Sequence, residues 1–119
     1  MRKVEYQDIG LFTNLIQIEA NEPEEGGANT TYYIYVQSQD GELKYVLDFQ
    51  TGDPRTVING LTNEALLSIL IDRMKGFQTG RFPSRRGALV ITKLEEALLW
   101  LINRTMERMR RGVEGKQEK

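Results

Sequence analysis

The chain's 119 residues suit a single domain, 1–119, long enough to bury an ordinary core. Cysteine and histidine are both absent, which removes disulfides, thiolate metal sites, the commonest zinc ligand and the commonest general base together. Hydrolytic triads and ordinary metal catalysis are therefore poor readings; no catalytic residue, metal or cofactor is expected, and function has to come from binding. No apolar run reaches membrane-spanning length and no export signal follows Met1, so a soluble cytoplasmic protein away from membranes is expected.

The net charge of −1 hides an asymmetry. Residues 1–60 carry four basic and ten acidic side chains, a net of −6, while residues 61–119 carry twelve and seven, a net of +5. Such a split points to an anionic partner for the second half, or equally to packing between the halves or against a neighbouring subunit.

In chain order, residues 1–60 read as a small β-sheet region. Residues 11–19 place Phe12, Ile16 and Ile18 on one face, a strand with an imperfect start. Asn21 to Asn29 gathers Pro23, Gly26 and Gly27 among acids, a loop. Thr31 to Gln37 sets Tyr32, Ile34 and Val36 opposite Tyr33 and Tyr35. These tyrosines could stack a ligand base, but tyrosine is common in strands for packing alone, and packing is the better reading. Asp40-Gly41 predicts a type I′ hairpin turn. Leu43, Tyr45, Leu47 and Phe49 then alternate with Lys44, Val46, Asp48 and Gln50, and Arg55 to Ile58 reads as a short last strand. The expectation is an antiparallel meander of three to four strands whose buried face is covered by the helical half of the chain.

Residues 61–115 read as a helical hairpin, making the fold class α+β. Thr62 is a fair N-cap with Glu64 in the first turn, and Ala65, Leu66, Ile69, Leu70, Arg73 and Met74 keep helical spacing to about Gln78, with Gly80 as a stop. Pro83 interrupts the chain and Ser84 can cap a second helix from Arg85 to about Arg111, roughly 40 Å long. This helix carries two adjacent apolar stripes. One is Val90, Leu94, Ala97, Leu98 and Leu101; the other is Ile91, Leu99, Ile102, Met106 and Met109. Together they exceed the stripe a surface helix needs against one core, so a homo-oligomer, beginning with a twofold dimer, is expected. Gly112 to Gly115 fits a left-handed stop, and residues 116–119 a frayed tail.

Two basic clusters lie on the second helix. Arg104 and Arg108 are one turn apart and Arg111 follows; guanidinium forks there suit phosphate oxygens, although a solvated basic face at a helix C-terminus is the blander reading. Arg85 and Arg86 sit at the N-terminus, where free N–H groups favour an anion and Gly87 permits close approach. Phe77 and Phe82 flank this tip and either stack on a base or cap the core. No glycine-rich phosphate loop is present.

The segments NEALLSILIDRMKGFQTGRF and ALVITKLEEALLWLINRTMERMRRGVEG, at colinear spacing over almost half the chain, strongly resemble the helical-hairpin domain of phage anti-defence proteins. That domain is shared by Thoeris anti-defence and anti-CBASS proteins, and the β-rich first half resembles the Thoeris type. The resemblance implies a non-enzymatic sponge in the cytoplasm of an infected bacterium. Such a protein sequesters cyclic nucleotide signals (glycocyclic ADP-ribose, or CBASS cyclic oligonucleotides at separate sites) in a dimer or a trimer of dimers. It further implies that Phe77 stacks on the messenger's base. Arg104 and Arg108, with Arg111 nearby, match a basic pair lining a trinucleotide pocket. Phe82, Arg85, Arg86 and Gly87 occupy the ADP-ribose tip, where the family's pattern of arginine, glutamate and asparagine reads Arg85-Arg86-Gly87 here. The alternative is a nucleic-acid-binding or protein-interaction module using the basic helix. A net charge of −1 argues against duplex binding, and no nucleic acid partner is expected. An enzyme would have only carboxylates such as Glu95 and Glu96 to use.

Overall fold

The computed structural model describes residues 1–6, 10–12, 14–23 and 26–112. Residues 113–119, which include the end of the expected stop and the expected frayed tail, lie outside the described residues. The chain clusters into two compact units, one formed by Met1–Gly60 and the other by the residues from Leu61 on.

The first unit is an antiparallel sheet of four strands in sequence order: β1 (Arg2–Val4), β2 (Ile16–Ala20), β3 (Thr31–Ser38) and β4 (Gly41–Asp48). The register sets Ile18 beside Ile34 and Ile34 beside Tyr45, and likewise Ala20, Tyr32 and Leu47 in a row. Strand alternation therefore puts one apolar face together, with Ala20 fully buried and Phe49 edge-on to Tyr32 at 5.7 Å. On the other face Lys44 lies over the rings of Tyr33 and Tyr35, at 5.2 and 5.8 Å from their centroids. The two tyrosines are thus occupied within the sheet, in keeping with packing.

Several local expectations are corrected. Gly10–Phe12 is a 3-10 turn, and the strand expected over 11–19 begins only at Ile16. β1 was not legible in composition; it is held by pairing Arg2–Val4 with Ile18–Ala20 and by the Arg2 guanidinium donating to Asn29. The β3–β4 turn is not type I′, which needs positive φ at both central residues. Its central residues are Gln39 and Asp40, no non-glycine residue has positive φ among those described, and Gly41 alone takes φ 125° as the first residue of β4. No strand forms over Arg55–Ile58. Side-chain amides flank that segment instead: Gln50 donates to the Val57 carbonyl at 2.9 Å and accepts from Asn59 N–H at 3.0 Å, while Asn59 bonds both backbone groups of Thr51. Asp53 closes a turn by accepting from the Thr56 and Arg55 N–H groups.

The second unit is an antiparallel hairpin of α1 (Asn63–Thr79) and α2 (Arg85–Arg111). Thr62 and Ser84 cap them as expected, their hydroxyls accepting from the N–H groups of Ala65 and Gly87. Gly112 ends α2 at φ 73°, its N–H reaching the Arg108 and Met109 carbonyls. Gly80 ends α1 without the left-handed geometry expected of a glycine stop.

Leu66 and Glu107 aside, the less exposed positions recur at alternating threes and fours: Glu64, Leu67, Ile71, Met74 and Gln78 on α1, and Gly87, Ile91, Leu94, Leu98, Leu101, Thr105 and Arg108 on α2. The Thr105 hydroxyl donates to Glu64 Oε2 at 3.1 Å near one end, Lys75 meets Glu95 at 3.2 Å midway, and Gln78 meets Ser84 at the tip. This seam draws from both apolar stripes of α2 and from neither alone. On α1 it runs through Leu67 and Ile71, while Ala65, Ile69 and Leu70 stay exposed. Among the described residues no helix is long and apolar enough to cross a membrane.

Candidate functional site

Two places on the hairpin carry the basic residues singled out in the sequence. At the tip, Ser84, Arg85, Arg86 and Leu89 line an open depression of about 370 Å³. The Ser84 cap turns the first α2 N–H groups toward this end, no acidic residue lies in the first turn, and Arg85 and Arg86 are exposed. The combination is a cationic helix start with free donors, suited to a phosphate-bearing ligand. Leu89 joins it from the next turn; the sequence signal for it is its spacing of three and four from Arg86 and Arg85, which places all three on one side.

The phenylalanines stand nearby in sequence but do not line the depression. Phe77 is on α1 with its ring against the Arg73 guanidinium, 5.6 Å from carbon to centroid, and remains 45% exposed. Phe82, in the connection, is 75% exposed, so neither ring caps a core within the chain. Each keeps apolar surface available for stacking. Gly87 is buried, so the glycine does not offer bare backbone to a ligand as its composition suggested. A β-carbon there would stand 2.6 Å from Gln78 Oε1 and 3.1 Å from Ser84 Oγ.

Near the other end of α2, the expected convergence of Arg104 and Arg108 is lopsided. Arg104 is exposed, whereas Arg108 is 6% exposed and holds a partner within the chain. Arg111 pairs through Nε with Glu107 at 2.6 Å, and Arg110 approaches the same carboxylate at 3.5 Å. A ligand arriving at this end therefore meets Arg104 as the open guanidinium and Arg111 as one already shared. Among the described residues no three His, Cys, Asp or Glu side chains gather as a metal set.

The second α2 stripe survives as surface. Leu99, Ile102, Met106 and Met109, spaced three, four and three, are 41–67% exposed, and Trp100 is 70% exposed. An apolar row of that spacing is what a partnering helix packs against.

Comparison with known proteins places these features. The chain is 54% identical over 96 residues to Thoeris anti-defense 1 of Bacillus phage SBSphiJ7, a match covering 79% of this chain and 66% of that relative. The chain thus spans about two thirds of the relative's length. Residues 44–106, which run from β4 through both helices to the last turns of α2, match the family described as Acb2/Tad1, hairpin domain. With that match extending over more than half its length, the chain belongs to the Acb2/Tad1 hairpin-domain family.

Proposed function

We propose that this protein is a phage anti-defence sponge, acting in the cytoplasm of the infected bacterium, that binds cyclic nucleotide immune signals and withholds them without cleaving them. The observation that carries the reading is the cationic tip of the hairpin, formed within a domain matched to the anti-defence family. Arg85 and Arg86 would meet the pyrophosphate of an ADP-ribose-type messenger, with Phe77 or Phe82 stacking on its base. Gly87, where the family pattern has asparagine, removes one polar contact, and Arg86 supplies a charge in place of a carboxylate. Cyclic oligonucleotides would use a second site, with Arg104 as its open contact, Arg111 beside it and Arg108 holding the end of α2 in place. The exposed Leu99–Met109 row would join copies of the chain, first as a dimer and then as a trimer of dimers, so that sites form between subunits.

A thermal-shift panel with glycocyclic ADP-ribose isomers and cyclic di- and trinucleotides tests this directly. A sponge is stabilised by ligand with the logarithm of concentration over Kd, and it returns intact ligand after denaturation. Recovery of cleaved ligand alone would make the protein an enzyme instead. A steep salt-dependent affinity for DNA with no shift for any cyclic nucleotide would replace the sponge with a nucleic-acid-binding module.

A further inference from the structure

Helices that begin with Ser-x-x-Glu or Ser-x-x-Gln satisfy two donors reciprocally: the serine accepts from the third helical N–H, and the third residue's side chain accepts from the serine's own N–H. α2 begins Ser84-Arg85-Arg86-Gly87, so it has the serine and lacks the returning side chain. The first half of the arrangement is present, with Gly87 N–H donating to Ser84 Oγ at 2.9 Å. The second half comes from the other helix: Ser84 N–H donates to Oε1 of Gln78, in the last turn of α1, at 2.8 Å. Gly87 makes room for it, because any β-carbon there would overlap that same oxygen.

We propose that Gln78 is the positioning residue of the tip, a cap lent by α1 to α2, and that its neutrality keeps the depression receptive to an anion. A glutamate in the ordinary capping position would satisfy Ser84 equally well but set a carboxylate among the N–H groups, Arg85 and Arg86. An amide supplies the acceptor without the charge. The ligand class it favours is one presenting phosphate or pyrophosphate to the first turn of α2. This deepens the proposed function and rests on its tip pocket being real.

Gln78→Glu separates the two duties of the residue. A carboxylate still accepts from Ser84 N–H, so the melting temperature and the slow hydrogen exchange of the Ser84 amide are retained. Affinity for glycocyclic ADP-ribose falls roughly tenfold at low salt, and the deficit shrinks as salt rises. Gln78→Met keeps the volume but removes the acceptor. It speeds Ser84 exchange, lowers the melting temperature and weakens binding by a factor that salt does not change. Gly87→Ala evicts the amide from its place, so adding Gln78→Met to it loses little more; the coupling is the signature of one shared bond.

Arg85→Ala with Arg86→Ala is the control for the pocket itself. If that variant loses binding while Gln78→Glu binds as the parent does, the pocket stands and the role of Gln78 is overturned. If the arginine variant binds normally, the pocket and this inference fall together. Fast Ser84 exchange in the parent protein would overturn the cap by itself.

Discussion

Gly60 and Gly76 show how differently two glycines weigh on this chain. A β-carbon at Gly60 would lie 2.5 Å from the Phe49 carbonyl carbon and 2.6 Å from the Asp48 oxygen, both backbone atoms that cannot swing aside. Gly60→Ala should lower stability by about 1–3 kcal/mol, read as an earlier urea midpoint with unchanged slope. Gly76 sits inside α1 with nothing within 4 Å of such a carbon, so Gly76→Ala should raise stability by about 0.5–1 kcal/mol in the same titration. In the sequence both glycines look like punctuation. Asn59-Gly60 reads as the close of the sheet, but the last strand ends at Asp48, and the close approach that demands glycine comes from Asp48 to Gln50, well back along the chain, which no local pattern contains. Gly87 is similar: composition suggests backbone opened to a ligand, and only the folded hairpin shows Gln78 in that space.

At the scale of elements, the bounds of the helices and the alternation of β3 and β4 follow closely from residue type, because Thr62, Ser84 and Gly112 act locally and strand periodicity needs no partner to be visible. What each element packs against is another matter. The apolar arc of α2 is wide, and which part faces α1 depends on Leu67 and Ile71, so the seam takes Leu94, Leu98 and Leu101 from one stripe read in the sequence and Ile91 from the other. The false strand at Arg55–Ile58 has a related cause. Thr56, Val57 and Ile58 favour extended backbone, but Asp53 accepts from the N–H groups of Arg55, Thr56 and Val57, and the Gln50 amide donates to the Val57 carbonyl, all without a ladder. The seam and the outer row can be told apart by mutation. Leu98→Ala, which empties a half-buried contact, should destabilise the hairpin by about 1–2 kcal/mol in thermal unfolding. Leu99→Lys with Met106→Lys should leave helical circular dichroism intact and reduce the assembled mass in light scattering; an unchanged mass would remove the outer row from any interface.

For the molecule as a whole, the charge split between residues 1–60 and 61–119 bears on selectivity. A ligand with two or three phosphates can engage a few arginines on the hairpin, whereas a duplex needs a broad basic surface, and the chain's net charge is −1. Titrations across ionic strength should therefore show a shallow decline for glycocyclic ADP-ribose and negligible duplex DNA binding at moderate salt. At the second site, Arg104→Ala should remove the cyclic trinucleotide thermal shift while leaving the ADP-ribose shift in place, since Arg104 is exposed and its loss spares the buried Arg108. Loss of both shifts together would mark an assembly defect. The two basic clusters were legible as residues, but the inequality of Arg104 and Arg108 was not, because one helical turn separates a solvent-facing position from a buried one.

The borrowed cap has a consequence for how such a protein can change over generations. Positions 85 and 86 stand at the mouth of the tip yet carry no part of the bonds that start α2, which belong to Ser84, Gly87 and Gln78. If the tip binds a messenger as proposed, the contacts at 85 and 86 can therefore be redrawn when that messenger changes, while the helix start stays as it is. Saturation libraries at those two positions should give mostly folded proteins with scattered ligand preferences. At 78 and 87, by contrast, accepted changes should arrive in pairs.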